Sequence, residues 1–148
     1  MKITLEDLKG GQRPTFGKEI PLDTFRLLRL SGFREVLGES AGPVLYMAGK
    51  SLGKGLPVSS IDDFLDCLRE LKVGRPYVEH FDGETGAIRV FECMTCYGLP
   101  YMGKLLCDLE NGMIAGGIEK ITGKEVNATQ AKSWTHGDKY CEFQVILF

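Results

Sequence analysis

The spacing of hydrophobic residues first changes near residue 75 of this chain. Before that point, apolar residues such as Leu22, Phe25 and Leu28 recur every three positions, which is typical of an amphipathic helix. After it, residues 76–81 and 87–93 have the pattern of two strands joined by a connector rich in turn residues. Helices and antiparallel hairpins that segregate along a chain predict an α+β domain, with helices packed on one side of a twisted antiparallel sheet.

The remaining elements are predicted from the same helical and strand spacings of apolar residues and from helix-capping residues. Ser60 precedes a helical pattern whose first turn carries Asp62 and Asp63, as expected at a helix N-terminus. A later helix has so wide an apolar arc that we expect it to be largely buried, and its Gly112 and Gly116 would let another backbone come close. We predict that the four strands form two hairpins in one sheet. The predicted helices cover residues 22–37, 43–52, 61–72 and 102–121, and the predicted strands cover residues 76–81, 87–93, 124–135 and 140–148.

The 148 residues suffice for one ordinary domain. Gly10, Gly11 and Pro14 interrupt the first twenty residues, so we expect residues 1–20 to be an irregular N-terminal extension that lies over the surface or reaches a partner subunit. The domain itself is predicted to cover residues 21–148.

Charge and composition exclude several classes of protein. Lysine and arginine number 18 and aspartate and glutamate 20, and this balance argues against a nucleic-acid-binding protein, which usually has a basic excess. We expect no membrane span and no signal peptide, because no apolar run approaches the required length. An odd count of five cysteines is typical of a reducing compartment, so we expect a soluble, cytoplasmic protein.

Cysteine is the residue type that most directly suggests chemistry. Cys93 and Cys96 form a C-x-x-C, which could bind a metal, cycle as a dithiol or simply pack in the interior. Cys67, Cys107 and Cys141 lie on apolar faces of predicted elements, where core packing is the usual role.

His136 is a further candidate metal ligand, because it lies five positions before Cys141 across a Gly-Asp turn. A solvated turn histidine is the alternative interpretation. No phosphate-binding loop, dinucleotide fingerprint or nucleophile elbow is present. We therefore predict no catalytic residues and no nucleotide cofactor.

The second half of the chain resembles the 4-vinyl reductase domain family, a group of small-molecule sensors often called hydrocarbon-binding proteins. Residues 92–100 look like the archaeal branch of that family, and residues 38–41 and 45–53 fit its N-terminal helix pair, so the resemblance covers about residues 20–148. It implies a fold shared with haem nitric-oxide-sensor-like domains and TRAPP trafficking subunits, a hydrophobic pocket and a homodimer. The other matching residues are Cys107, Gly112, Gly116, Gly123, Lys124 and the segment 137–143.

The same resemblance implies a zinc site. Such a site uses a helix cysteine, a Glu-x-x-Cys and a cysteine eight residues further on. Cys107 and Cys141 match the first and last of these ligands, whereas Gln130 and Ser133, which are poor zinc ligands, occupy the middle positions. Either no metal binds, or other residues such as His136 substitute. An all-thiolate cluster is the predicted metal site, and it comprises Cys93, Cys96, Cys107 and Cys141.

The function that we predict is the binding or sensing of a hydrophobic, aromatic or hydrocarbon-like small molecule in a pocket between the helices and the sheet. Two alternatives remain: a reductase or accessory factor acting on vinyl groups of tetrapyrroles, or a dimeric protein-interaction module. The absence of a nicotinamide or flavin motif favours a binding module over an enzyme. Predicted ligand-binding residues are Tyr46, Leu105, Leu109, Met113, Trp134 and Phe143.

Overall fold

The computed structural model describes residues 2–148. Helix α2 continues through a π-helical turn, Leu27–Gly32, directly into α3, so residues 22–37 form one helical segment, as predicted. The helices are α1 (Leu5–Leu8), α2 (Leu22–Arg26), α3 (Phe33–Leu37), α4 (Ala41–Lys54), α5 (Ile61–Glu70) and α6 (Asp108–Thr122), and the strands are β1 (Arg75–Phe81), β2 (Thr85–Phe91), β3 (Val126–Lys132) and β4 (Cys141–Leu147).

The four strands form one antiparallel sheet in the order β1-β2-β4-β3. The β1–β2 and β3–β4 hairpins lie side by side, so the predicted α+β class and the two-hairpin pairing are confirmed. Ile88 on β2 lies opposite Phe143 on β4, and both side chains are buried in the core. The core therefore lies between the central strands and the helical layer.

Helix α6 occupies the centre of that helical layer, with Ile114, Ala115 and Ile118 fully buried. Helix α5 packs beside it and begins at the predicted cap, where the hydroxyl of Ser60 accepts a hydrogen bond from the amide of Asp63 at 3.1 Å. The expectation of a largely buried helix in this part of the chain is confirmed.

Helices α4 and α6 cross with their backbones in direct contact. A Cβ atom on Gly112 would overlap the carbonyl oxygen of Tyr46 and lie 2.8 Å from the amide nitrogen of Lys50. Gly49 on α4 meets Leu109 on α6 in the same way. The close approach predicted from the glycine spacing is thus present, and it depends on the absence of side chains on both helices.

The largest difference between a predicted and an observed helix boundary is at the start of α6, whereas the ends of α4 and α5 differ by two residues. Helix α6 begins at Asp108 rather than at residue 102, and Cys107 is the residue that precedes it instead of lying inside it. The amides of Met102 and Gly103 donate to the carbonyl oxygen of Thr135 at 2.9 and 3.0 Å, and the Thr135 hydroxyl donates to the carbonyl of Lys104. The first amides of a helix have no partner within it, but the Lys104 carbonyl is an acceptor that a helix beginning at residue 102 would use, so its bond to Thr135 favours the irregular conformation of residues 102–107.

The N-terminal residues 2–20 are mostly irregular, as expected, apart from the single turn of α1. The Thr4 side chain accepts from the amide of Asp7, and the Asp7 carboxylate accepts from the Thr4 amide, which together form a capping box. Within residues 2–148, no helix is both long enough and apolar enough to cross a membrane.

Candidate functional site

Four cysteine side chains from three separate segments meet in the interior. Cys93 and Cys96 come from the loop after β2, Cys107 precedes α6, and Cys141 begins β4; all four are buried. Their sulfur atoms lie within 4.8 Å of one another. The distances between the sulfur atoms are 3.7 Å for Cys93–Cys107, 3.7 Å for Cys107–Cys141 and 3.2 Å for Cys96–Cys141.

Local backbone geometry brings the first two cysteines into this cluster. Glu92 adopts a left-handed conformation with φ of 53°, which turns the chain sharply as it leaves β2. The amide of Met94 then donates to the carbonyl of Val73 at 2.8 Å, and the amide of Tyr97 donates to the carbonyl of Cys93 at 3.1 Å. The resulting tight turn directs both C-x-x-C sulfur atoms towards the other two cysteines.

Gln130 and Ser133, which occupy two positions of the family's zinc pattern, have other roles here. The side-chain oxygen of Gln130 accepts a hydrogen bond from the amide of Cys107 at 3.0 Å, and so fixes the backbone beside the cluster. The hydroxyl of Ser133 lies 3.0 Å from that of Thr135 and is fully buried. Gln130 thus supports the backbone of Cys107 directly, and Ser133 contacts Thr135, whose hydroxyl bonds to Lys104 in the segment that leads to Cys107.

The cluster is electrostatically unusual, because four adjacent sulfur atoms cannot all be charged without a cation between them. Contacts with the other three thiols, Cys107 first among them, hold the pKa of Cys96 well below the ordinary thiol value. The neighbouring thiols, together with burial, raise the pKa of Cys107. A bound divalent cation would allow all four to ionise.

The donor set and its size fit a zinc ion. Zinc bound by four thiolates is tetrahedral with Zn–S distances of about 2.3 Å, which correspond to separations of about 3.8 Å between sulfur atoms. Three of the six separations in the structure, 3.2, 3.7 and 3.7 Å, are slightly smaller, and all six are within 4.8 Å, so such an ion needs only small adjustments of the side chains. Four buried cysteines placed in this way could hold a metal ion.

A buried ion pair, which the sequence pattern did not reveal, lies close to the cysteine-bearing segments. Arg29 is only 1% exposed, and its guanidinium donates to the carbonyl of Leu106 at 2.9 Å and lies 3.9 Å from the carboxylate of Glu110. The hydroxyl of Thr95, inside the C-x-x-C, donates to the same carboxylate. Burial raises the pKa of Glu110, and the Arg29 charge opposes this effect. The available signal was that Arg29 continues the apolar stripe of its helix, four positions after Phe25.

His136, the other candidate metal ligand, is not part of the cluster. It lies half-exposed in the turn before β4, with its Nδ1 atom 3.7 Å from the Asp138 carboxylate. Cys67, on α5, is half-buried and also lies outside the cluster.

The six predicted ligand-binding residues lie in different parts of the fold. Phe143 is fully buried in the core, and the Tyr46 hydroxyl accepts a hydrogen bond from the amide of Ala128 at 3.1 Å. The Trp134 indole donates to the carbonyl of Leu99 at 2.9 Å and packs on a neighbouring tyrosine ring. Leu105 is partly exposed in the irregular segment before α6, outside the helix in which it was predicted to lie.

Leu109 and Met113 remain on α6, and Met113 lines a cavity of about 430 Å³. This cavity lies between the N-terminal segment, which includes α1, and the helical layer. Thr4, Ser51 and Lys2 are its polar lining residues. Its apolar walls are formed mainly by Leu5, Leu8, Leu52, Leu56, Leu71 and Met113.

Comparison with known proteins identifies the family. Residues 87–147 match the 4-vinyl reductase domain. An uncharacterized protein of Methanocaldococcus jannaschii is 33% identical over 131 residues, which cover 88% of this chain and 80% of the relative. The chain belongs to the 4-vinyl reductase domain family. The predicted family resemblance, including its archaeal character, is therefore confirmed.

Solved structures share the fold of this 4-vinyl reductase domain. A vinyl-4-reductase family protein from M. jannaschii superposes with a TM-score of 0.72 at 21% identity, covering 97% of this chain and 87% of that one. The phenol-responsive sensory domain of the transcription activator PoxR, solved with phenol, gives a TM-score of 0.65 at 15% identity. The match covers 97% of this chain and 88% of that one.

The two fold relatives that the sequence resemblance implied are also found. A trafficking protein particle complex subunit 3 from Naegleria fowleri, covalently bound to palmitic acid, gives a TM-score of 0.63 at 16% identity over 86% of this chain and 95% of that one. An H-NOX protein from S. oneidensis gives a TM-score of 0.58 at 12% identity, and the match covers 97% of this chain and 87% of that one. At these identities the likeness shows the fold alone, and it confirms the predicted fold class.

Proposed function

We propose that this 4-vinyl reductase domain binds a small apolar molecule and contains a structural zinc centre. The cavity under the N-terminal segment carries the binding part of the proposal. Its walls are mostly apolar side chains, five of them leucine, with a few polar groups, and its volume of about 430 Å³ suits a small ligand. A hydrocarbon-like or aromatic molecule is the class of ligand that such walls favour. A sensory role is supported by the fold shared with the phenol-responsive domain of PoxR.

The N-terminal extension has a defined part in this proposal. Residues 21–148 form the binding domain, and the described part of the N-terminal extension, residues 2–20, contributes the outer wall of the cavity through Leu5 and Leu8. A ligand therefore enters or leaves when this short segment moves away from the domain. Because α1 is a single turn, we expect such movement to require little energy.

The zinc centre would be held by the four-cysteine cluster. An all-thiolate tetrahedral site leaves no open position for water or substrate, so the zinc would act structurally rather than catalytically. It would connect the loop after β2, the start of α6 and the start of β4. Thiolates bind metal only while they stay reduced, which supports a location in the reducing cytoplasm.

A homodimer is the assembly that the surface favours. Several large apolar side chains of the helical layer are exposed, and Val36 is 84% accessible. Exposed apolar side chains that form one patch usually mark an interaction surface, and we assign this patch to two contacting elements, the helical segment 22–37 and α4. The proposed dimer face consists of Leu27, Leu28, Val36, Val44 and Met47.

One measurement tests all three parts. Native mass spectrometry of the chain, purified without chelator, should show a dimer with one zinc per chain and an added small apolar molecule. Each mass difference reports independently on zinc, ligand and dimer. A spectrum that contains only the bare single chain would overturn the proposal.

Filling the cavity should weaken ligand binding. In Leu52→Trp the indole would occupy the space between α4 and the N-terminal segment, so binding of a naphthalene-type fluorescent dye should weaken roughly tenfold or more, or about 1.4 kcal/mol. Leu52 is 52% exposed, so the fold should tolerate the change. Ile146→Trp, at a residue of similar exposure (49%) on β4, is the matched control and should bind the dye normally. Equal dye binding by both variants would place the ligand elsewhere.

A further inference from the structure

The helical segment 22–37 is attached to the domain in an unusual way. It contributes no buried apolar residue to the core, and its single buried side chain is that of Arg29. Helices of globular domains are normally held by an apolar face, so another type of contact must fix this one. The polar contacts of three arginines supply it.

The first of these arginines contacts both residues that follow the cysteines of the C-x-x-C. Arg26 donates from Nε to the carbonyl of Met94 at 2.9 Å and from its terminal nitrogen to the carbonyl of Tyr97 at 2.7 Å. These acceptors directly follow Cys93 and Cys96 in the chain.

The other two arginines contact the residues on either side of Cys107. Arg29 donates to the carbonyl of Leu106 at 2.9 Å, and Arg34 donates to the carboxylate of Asp108 at 3.4 Å. Three arginines on one helical segment therefore contact the backbone or side chain of residues beside three of the four cluster cysteines.

We propose that the metal centre is a latch for the helical segment 22–37, which docks while the metal holds the cysteine-bearing segments and is released when the metal leaves. The inference rests on the proposed zinc site. The carbonyls of Met94, Tyr97 and Leu106 lie in irregular chain, so their positions depend on what fixes the neighbouring cysteines. Without the metal these acceptors lose that constraint.

Electrostatics favour release in the metal-free state. Two guanidinium nitrogens of Arg29 have no partner within the described structure, so burying this cation is costly. Its docked position depends on the Leu106 carbonyl at 2.9 Å and on the Glu110 carboxylate at 3.9 Å. When metal loss frees the segment around Cys107, that carbonyl moves away and the cation gains by returning to water.

The latch would connect the metal state with the proposed dimer. Leu27, Leu28 and Val36 belong to the same helical segment and are exposed on the proposed dimer face. Docking presents them in a fixed arrangement, whereas release would disperse them. Because such coupling is reciprocal, contacts that stabilise the docked segment should also strengthen metal binding.

Hydrogen exchange with and without metal tests the latch. In the full-length chain, chelation should accelerate amide exchange in residues 22–37 about tenfold more than in α5, which reports the general loss of stability, because the arginine contacts that depend on the cluster belong to residues 22–37. Zinc content is measured on the same samples. Zinc at one per chain with unchanged exchange in residues 22–37, or with equal acceleration in α5, would overturn the latch alone. A chain without zinc would overturn both the latch and the zinc site.

A pair of arginine variants tests the reciprocal effect. Arg26→Ala removes two hydrogen bonds beside the cysteines and should release zinc to a chromogenic chelator about tenfold faster. Arg69→Ala, on α5, is the matched control, since Arg69 also donates from a helix to a backbone carbonyl, that of Pro76 at 3.0 Å, but not to a residue beside a cluster cysteine. Equal release rates for the two variants and the unaltered chain would contradict the latch.

Discussion

Cys107→Ser should abolish zinc binding and lower the midpoint of thermal unfolding by about 10 °C. The serine hydroxyl is a weak zinc ligand, so the closed tetrahedral site would be lost. Loss of a structural metal costs about 3–5 kcal/mol or more, and each kcal/mol moves the midpoint by about 2–4 °C in a domain of this size. Zinc content and calorimetry on the same preparation measure both effects.

Cys67→Ser is the internal control for this experiment. Cys67 is half-buried on α5 and lies outside the sulfur cluster. Its variant should retain one zinc per chain and unfold close to the unaltered temperature. Chelation should lower the midpoint of the unaltered chain and of Cys67→Ser alike, and should leave Cys107→Ser unchanged. If Cys107→Ser retains its zinc, the four-cysteine centre is wrong.

Gly112→Ala should destabilise the chain by about 3 kcal/mol or more, because its Cβ would overlap the Tyr46 carbonyl at the α4–α6 crossing. Backbone atoms cannot move aside as a flexible side chain can, so the two helices would have to separate. Urea unfolding measures the loss. A change below about 0.5 kcal/mol would show that the crossing is looser than the structure indicates.

Gly42→Ala provides the matched control on the partner helix. A Cβ atom at Gly42 would meet only the Asp108 carboxylate at 3.5 Å, an ordinary contact. Alanine has a higher helix propensity than glycine, so this variant should be neutral or more stable by up to about 1 kcal/mol. If Gly112→Ala destabilises the chain and Gly42→Ala does not, the loss at Gly112 is due to close backbone contact and not to helix propensity.

The cysteine cluster is a variation on the zinc site that the family resemblance implied. The expected middle ligands would have come from residues 130–133, where Gln130 and Ser133 now stand. Here the loop between β2 and α6 supplies Cys93 and Cys96 instead. Gln130 keeps a supporting role through its hydrogen bond to the amide of Cys107.

Local patterns in the sequence were sufficient for the types of element and their pairing. The period of apolar residues predicted both hairpins and most helices, and Ser60 predicted the start of α5. Each of these signals depends on residues a few positions apart, so a short stretch of sequence is enough to predict the type of element. The glycine spacing on α6 likewise indicated a close helix contact, although it did not identify α4 as the partner.

Contacts between distant residues decided the rest. Residues 102–107 have a helical pattern, but hydrogen bonds with Thr135 hold them in an irregular conformation, and α6 begins at Asp108. Only the tertiary fold brings Cys141 beside Cys93 and places the cavity beneath residues 2–8. Arg29 is another example of a position that distant residues decide. Its place on an apolar stripe is visible in the sequence, but its burial depends on the Leu106 carbonyl and the Glu110 carboxylate, which lie more than seventy residues away.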